Sequence, residues 1–389
     1  MPALSAIEAE FRREQPFAGL RVALSIHLEA KTANLALVLK AGGAEVYATG
    51  CNPLSTQDDV AAALAERGVT VNAIHGATME EYEQHLRQTL RCRPHVVLDD
   101  GGDFTNLLHG ESRADGELVR GITEETTTGV LRLRAREKAG ALRYPVVAVN
   151  DADCKHLFDN RYGTGQSVWD AIMHTTNRQV SGKNVVVAGY GWCGRGVALR
   201  ARGLGALVTV TEVDPVKAIE AAMDGFQVRS MDEAAEYGDI FVTVTGCHKV
   251  ITGRHFRKMK SGAMLCNAGH FDVEVDKNDL KELAVEIFPQ RENIMGYRMA
   301  DGRVLSLLAE GRLVNLAAGN GHPAEIMDMS FALQALTLRY LAREGEGMRP
   351  GVYSVPRELD ARVAQLKLEA MGIHIDTLTD EQKAYLGSY

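Results

Sequence analysis

No apolar run in this chain of 389 residues reaches the roughly 18 residues that a helix needs to cross a bilayer, so a membrane-spanning role is not expected. A basic run is missing as well. The formal net charge is −8, whereas a nucleic-acid partner calls for clustered lysine and arginine to neutralise phosphates. The six cysteines, at positions 51, 92, 154, 193, 247 and 266, form no Cys-x-x-Cys pair, and the twelve histidines show no ligand spacing. Scattered thiols of this kind fit a reducing cytoplasm better than a disulfide framework, and no metal site, zinc included, is expected. Internal repeats and low-complexity linkers are absent too. The first thirteen residues, Met1 to Arg13, read as a charged amphipathic helix rather than a signal peptide. What remains is a soluble globular composition, 46% hydrophobic and 24% charged, on a chain too long for one ordinary core. Two domains are expected.

The first 150 residues alternate between apolar β-type runs and helical patterns. Strands are expected at Arg21–Ile26, Ala44–Ala48, Thr70–Ala73 and His95–Leu98, with helices at Ala30–Ala41, Asp58–Arg67 and Met79–Arg91. Such alternation predicts a parallel sheet covered on both faces, with ligands gathering at the carboxyl ends of its strands. The groups to watch are therefore His27, the run Ser55-Thr-Gln-Asp-Asp59 and the run Asp99-Asp-Gly-Gly-Asp103. Further on, a buried strand at Val185–Ala188 runs into Gly189-x-Gly191-x-x-Gly194, and a helix-compatible segment follows. The glycines permit a tight turn and let backbone N–H groups approach a pyrophosphate at a helix N-terminus. A second strand, Leu207–Thr211, ends in Glu212, where a carboxylate can hold a ribose 2′-hydroxyl. That context turns a weak glycine pattern into a dinucleotide-binding signature. Later strands are expected at Asp239–Val244 and Ala263–Asn267, and a long helix at Glu325–Ala342.

Several longer runs carry a family resemblance. They are Asn52-Pro-Leu-Ser-Thr-Gln-Asp58, Asp99-Asp-Gly-Gly-Asp103, Glu124-Glu-Thr-Thr-Thr-Gly129, Lys155-His-Leu-Phe-Asp-Asn160, Gly189-Tyr-Gly-Trp-Cys-Gly-Arg-Gly196, Asn267-Ala-Gly-His-Phe-Asp272 and Gly321-His-Pro323. Together they resemble the S-adenosyl-L-homocysteine hydrolases, and His27-Leu-Glu-Ala-Lys-Thr32 resembles the shorter archaeal and thermophile-type branch. The resemblance implies two doubly wound α/β domains: a substrate domain at 1–152 completed by 324–370, and an inserted Rossmann NAD-binding domain at 166–322, with a short C-terminal segment at 371–389. It implies a cytoplasmic enzyme acting on a small nucleoside substrate, a homo-oligomer of two or four chains, with tightly held NAD. Its chemistry oxidises a sugar 3′-hydroxyl to a ketone, which acidifies the C4′ proton. Homocysteine then leaves by β-elimination, water adds, and the ketone is reduced again.

By the same resemblance, Lys155 takes the 3′-hydroxyl proton, and Asp159 and Glu125 orient the sugar hydroxyls. Lys155 and Asp159, four residues apart, are expected on one helical face. His27 and Asp100 handle the C4′ proton and the 5′ leaving group, and His270 lies near the nicotinamide. Glu29, Lys31, Thr32, Ser55 and His322 contact the nucleoside. The coenzyme falls to Thr126, Thr127, Thr128, Asn160, Gly189, Gly191, Trp192, Cys193, Gly194, Glu212, Lys217, Thr245, Gly246, Gly269 and Asn315. The bland reading of the three threonines is a β-branched strand edge. Glu212 favours NAD over NADP because its charge repels a 2′-phosphate, although Lys217 pulls the other way.

Departures bear on the substrate. Longer members carry Thr and Glu where this chain has Glu29 and Lys31, which alters the hydrogen-bond code at the purine and admits hypoxanthine as well as adenine. The chain also ends without the Lys- and Tyr-containing tail that reaches a neighbour's NAD in longer members, which implies a looser hold on the coenzyme. Two other readings use the same residues. A nucleoside 4′,5′-dehydratase would expel water from the same ketone intermediate. A silent NAD-binding regulator would have lost catalytic side chains, yet Lys155, Asp159, Asn160, His270 and His322 are all present.

Overall fold

Short apolar runs such as Val96–Asp99 and Ile240–Thr243 are buried along their whole length, as strands in a sheet covered on both faces must be. In the computed structural model, which describes residues 1–387, these runs assemble into two sheets. The first contains β1 (Arg21–Ser25), β2 (Glu45–Thr49), β3 (Thr70–Val71), β4 (Val96–Asp99), β5 (Gly121–Glu124) and β6 (Pro145–Ala148). A strand from the far end of the chain, Gly351–Ser354, pairs parallel with β6 and completes it. Its order is Gly351–Ser354, β6, β5, β4, β1, β2, β3, and its pairings are parallel.

The second sheet holds β7 (Asn184–Ala188), β8 (Leu207–Thr211), β9 (Gln227–Val228), β10 (Ile240–Thr243), β11 (Met264–Asn267), β12 (Ala284–Arg291), β13 (Ile294–Met299) and β14 (Val304–Leu308). Its order is β12, β13, β14, β11, β10, β7, β8, β9. From β14 to β9 the pairing is parallel, the doubly wound pattern, whereas β12 and β13 extend the sheet as an antiparallel hairpin. That hairpin is not expected from the sequence, because Pro289 inside Ala284–Arg291 argues against a strand. The proline is tolerated because β12 is the edge. The expected strand at Thr70–Ala73 shortens to Thr70–Val71.

The helix Ala324–Glu344 returns the chain from the second sheet to the first. It is buried over most of its length, including Asp328, Ser330, Gln334 and Thr337. Asp328 accepts from the backbone N–H groups of Ala3 (3.1 Å) and Leu4 (2.9 Å). It thus supplies the first helix, Pro2–Glu14, with the cap its own Met1 does not provide. No helix among the described residues is long and apolar enough to cross a membrane.

Candidate active site

In the first sheet the chain winds one way from β1 and the other way from β4, and these two strands are neighbours. A crevice opens beyond their carboxyl ends at such a switch point. The residues that follow the two strands are His27 and Asp100. Ser55 Oγ donates to Asn52 O (2.9 Å) and lies 2.7 Å from His27 Nδ1. The other ring nitrogen, Nε2, faces Asp100 Oδ2 at 3.7 Å. Burial, reinforced by the charges of His322 and Lys155, lowers the His27 pKa to about 3; the ring is neutral at physiological pH.

His270, in the loop after β11, approaches Asp100 from the second sheet, with Nδ1 3.9 Å from Oδ1. Burial lowers it to about 4 against the opposing pull of Asp100. Asp100 itself is raised by burial, with His270 and Lys155 opposing. Its neighbour in sequence does different work. Asp99 accepts from Phe104 N, Thr105 N and Thr105 Oγ1 and so anchors the next helix. Within the acidic run, Asp100 is the one that faces the crevice. Cys51, which the sequence marks only as a lone thiol, also lies here, with Sγ donating to Asp100 Oδ2 at 3.4 Å.

A second cluster lies on an irregular helix. Residues His156–Gly163 are wound as a π-helix, a form common at functional sites, rather than the α-helix that the four-residue spacing implies. The contact expected between Lys155 and Asp159 is nonetheless made, at 3.2 Å. The wider turn adds a second one, Lys155 Nζ to Asn160 Oδ1, at 2.7 Å. Lys155 is also 3.3 Å from Glu125, and all four side chains are buried. Burial pulls the lysine down, but Asp159 and Glu125 outweigh it and hold the ammonium above its ordinary range. Burial, opposed by Lys155, pushes Glu125 up to about 7. For Asp159 burial works upward, yet Lys155 and His322 prevail and keep the carboxyl below its usual range.

Two residues of the returning helix complete this cluster and were not anticipated. Ser330 Oγ donates to Asp159 Oδ2 (2.7 Å), and Gln334 Nε2 donates to Glu125. Their signal was available: polar residues four apart on an otherwise apolar, buried helix face need partners. His322, expected near the purine, stands with Nδ1 3.0 Å from Asp159 and Nε2 3.2 Å from Thr164. Among the other expected nucleoside contacts, Glu29 caps the helix Ala30–Ala41 and pairs with Lys31 at 2.7 Å. Thr32 donates to His27 O, and Lys31 Nζ donates to Asn320 O.

The glycine loop leaves β7 beside β10, the switch point of the second sheet. Glu212 accepts from Tyr190 N (2.7 Å) in that loop as well as from Val213 N and Asp214 N. Lys217 is directed to Asp214 at 3.7 Å. Trp192 stacks near His156 and Arg195, and Cys193 lies beside Thr164. Buried Glu274 accepts from Thr245 N, Thr245 Oγ1 and Gly246 N and fills the space that a side chain at Gly269 would need. The two halves meet here, because a Cβ at Gly246 would lie 3.7 Å from Thr128 Oγ1. Thr126, Thr127 and Thr128 begin a helix, Thr127–Lys138, rather than edging a strand. Thr126 caps it, and Thr127 donates to Asn150, which Asn160 also contacts. Asn315 gives its amide to Ser167 (3.0 Å), while its Oδ1 is buried without a partner. A carboxamide donor would satisfy that oxygen, and Gly191 has open space where a phosphate would approach. The residues present fit NAD.

A parallel sheet with a glycine-rich dinucleotide loop, facing a crevice of buried acid–base clusters, defines a coenzyme-dependent α/β enzyme. Residues 160–321 match the family model "S-adenosyl-L-homocysteine hydrolase, NAD binding domain", and residues 1–119 match "S-adenosyl-L-homocysteine hydrolase". Adenosylhomocysteinase of Pyrococcus abyssi is 59% identical over 389 residues, covering 100% of this chain and 92% of the relative. S-inosyl-L-homocysteine hydrolase of Methanopyrus kandleri is 58% identical, covering 100% and 92%. Adenosylhomocysteinase of Thermotoga maritima is 55% identical, covering 100% and 96%. The chain belongs to the S-adenosyl-L-homocysteine hydrolase family.

Proposed function

We propose that the chain hydrolyses S-adenosyl-L-homocysteine, or its 6-oxopurine counterpart S-inosyl-L-homocysteine, to the nucleoside and homocysteine. The observation that carries this reading is one crevice holding two buried proton-handling clusters: Lys155 with Glu125 and Asp159, and Asp100 between His27 and His270. The coenzyme would rest on the loop Gly189–Gly194, with Glu212 at its ribose, Thr245 and Gly246 on the pyrophosphate side, and Asn315 and Thr126–Thr128 toward the carboxamide end. Held there, NAD would supply the hydride acceptor, and later the hydride donor, for chemistry at C3′. We read residues 1–152 with 324–370 as the substrate half and 166–322 as the coenzyme half. Six free cysteines support a reducing, cytoplasmic setting. Exposed Met371, Ile373, Ile375 and Leu378 support a homo-oligomer.

Lys155 carries its proton in the resting enzyme and can accept another only after giving that one up. Glu125, raised to about 7 and 3.3 Å away, is the acceptor at hand. The 3′-hydroxyl proton therefore enters a Lys155–Glu125 pair, while Asp159, fixed by Ser330 and His322, keeps the ammonium in place. Once C3′ is a ketone, Asp100 with the neutral ring of His27 removes the C4′ proton and homocysteine departs from C5′. The same groups then guide water onto C5′ and restore the proton at C4′. At the purine, Lys31 can donate to a 6-oxo group or to a ring nitrogen, which admits either base.

Two measurements test this. Incubating the NAD-loaded enzyme with the adenosyl or inosyl substrate is expected to release one free thiol per nucleoside formed. No thiol, with loss of water from a plain nucleoside, would replace hydrolysis by dehydration. The second is a pH profile. Protonated Glu125 cannot take the lysine's proton and ionised Glu125 can, so kcat/KM is expected to rise with pH through about 7. Glu125→Gln is expected to lower activity and remove that inflection. An unchanged inflection in the variant would assign it elsewhere.

A further inference from the structure

Glu124 takes no part in the proton handling above, yet it is wholly buried between the loops that carry the two clusters. The neighbouring strands β4 and β5 run into the acidic pairs Asp99-Asp100 and Glu124-Glu125, and Asp99 and Glu124 are register partners. In each pair the second residue does the chemistry and the first holds backbone. Asp99 serves the helix that follows its own strand, whereas Glu124 also reaches across to the other loop. Its Oε1 accepts from Gly101 N, next to Asp100, and from Thr126 N and Thr126 Oγ1, next to Glu125, each at 2.9 Å. One buried oxygen therefore ties the residue after Asp100 to the residue after Glu125. The glycine that closes the run Glu124–Gly129 serves the same group. Gly129 is the third residue of the helix Thr127–Lys138, where its φ is not positive and glycine costs helix stability relative to alanine. A Cβ there would overlap the Glu124 carboxyl. The other carboxyl oxygen, Oε2, is buried with no hydrogen-bond partner, and burial with Asp99 alongside raises the group well above the ordinary carboxyl range. Glu124 is thus a neutral acid whose one engaged atom is Oε1.

We propose that Glu124 is a positioning residue that sets the Asp100 loop against the start of the Glu125–Thr128 segment, so that a sugar gripped at its 3′-hydroxyl by Lys155 and Glu125 presents its C4′ hydrogen to Asp100. C3′ and C4′ are bonded neighbours, so the two clusters must act one bond length apart. Misplacement by about 1 Å in such a geometry can cost about 10²-fold. The backbone link from Glu125 N to Asp99 O (3.0 Å) joins the strands themselves. Only the Glu124 side chain joins the loops beyond them by a printed distance shared between Gly101 and Thr126. The inference rests on the reading of this crevice as the place of the C3′ and C4′ chemistry.

The test mixes NAD-loaded enzyme with adenosine in deuterated water and follows two signals. NADH absorbance counts enzyme that holds the ketone, and deuterium at C4′ of recovered adenosine counts deprotonation. Their quotient is the rate of C4′ exchange per ketone formed. Glu124→Met removes the accepting oxygen and is expected to lower that quotient by about 100-fold while NADH still forms. Gly129→Ala keeps the carboxyl but pushes it aside, so it should lower the quotient in the same way. Glu124→Gln keeps an accepting oxygen and should restore the parent quotient, whatever it does to the melting temperature. A residue that serves stability alone would lower the melting temperature of Glu124→Met and leave the quotient unchanged, because only enzyme that has formed the ketone is counted. That result overturns the proposal, as does a Glu124→Gln quotient as low as that of Glu124→Met. If the parent enzyme itself gives neither NADH nor exchange, the placement of the C3′ and C4′ chemistry in the crevice falls and takes this inference with it.

Discussion

Lys155→Met is expected to yield a folded, coenzyme-loaded protein whose turnover is lower by about 10³-fold or more, within the range of about 10²–10⁴ for losing a positioned acid–base group. Methionine matches the length and flexibility of the lysine stem and fits the same buried slot. What disappears is the charge between Glu125 and Asp159. Lys155 is the main force lowering both carboxyls against burial. Without it at least one of them takes up a proton, because two buried carboxylates cannot easily share a site. The variant then has neither the ammonium nor its acceptor. The informative readout is exchange of the substrate C4′ hydrogen with solvent, which requires the ketone. Exchange should vanish along with thiol release while bound NAD stays near that of the parent. Turnover within a few-fold of the parent would remove Lys155 from the mechanism, and loss of NAD as well would make its role structural.

The second large effect concerns the glycine loop, where two substitutions separate folding from coenzyme binding. At Gly194 a Cβ would overlap the carbonyl oxygen of Gly189 and press Val244. The helix Trp192–Gly203 could then no longer pack against β7 as it does. Gly194→Ala is expected to lose NAD through gel filtration and to unfold at lower temperature. Gly191 differs, because nothing lies within 4 Å of a Cβ built there and its φ of −71° suits alanine. Gly191→Ala should fold normally and still bind NAD poorly, since the methyl intrudes only where the phosphates come close. Full NAD occupancy in Gly191→Ala would show that the pyrophosphate lies elsewhere.

The residues that the sequence singles out fall into those whose partners are near in the chain and those whose partners are not. Gly189, Gly194 and Glu212 belong to one strand–turn–helix–strand unit, and the hydrogen bond from Tyr190 N to Glu212 follows from that local design. The helix Ala30–Ala41 and the strand Leu207–Thr211 have the expected bounds for the same reason: a local period and a local stop signal. The Lys155–Asp159 contact was legible from spacing, but the π-winding that adds Asn160 was not, because it depends on tertiary packing rather than on a period in the chain. Cys51, Ser330 and Gln334 each act across the fold, on Asp100, Asp159 and Glu125. No one-dimensional pattern reports such pairs. The hairpin β12–β13 was hidden by a proline that is disfavoured in a central strand and acceptable at an edge.

The long helix that carries Ser330 and Gln334 back to the first sheet has a consequence for how the molecule comes into being on the ribosome. Everything from β1 to β6 is synthesised early, yet the strand that closes that sheet and the side chains that tether Asp159 and Glu125 arrive only after β7–β14 have been made. The nascent chain must therefore hold an unfinished half, with buried acids lacking their tethers, while an entire second half folds within it.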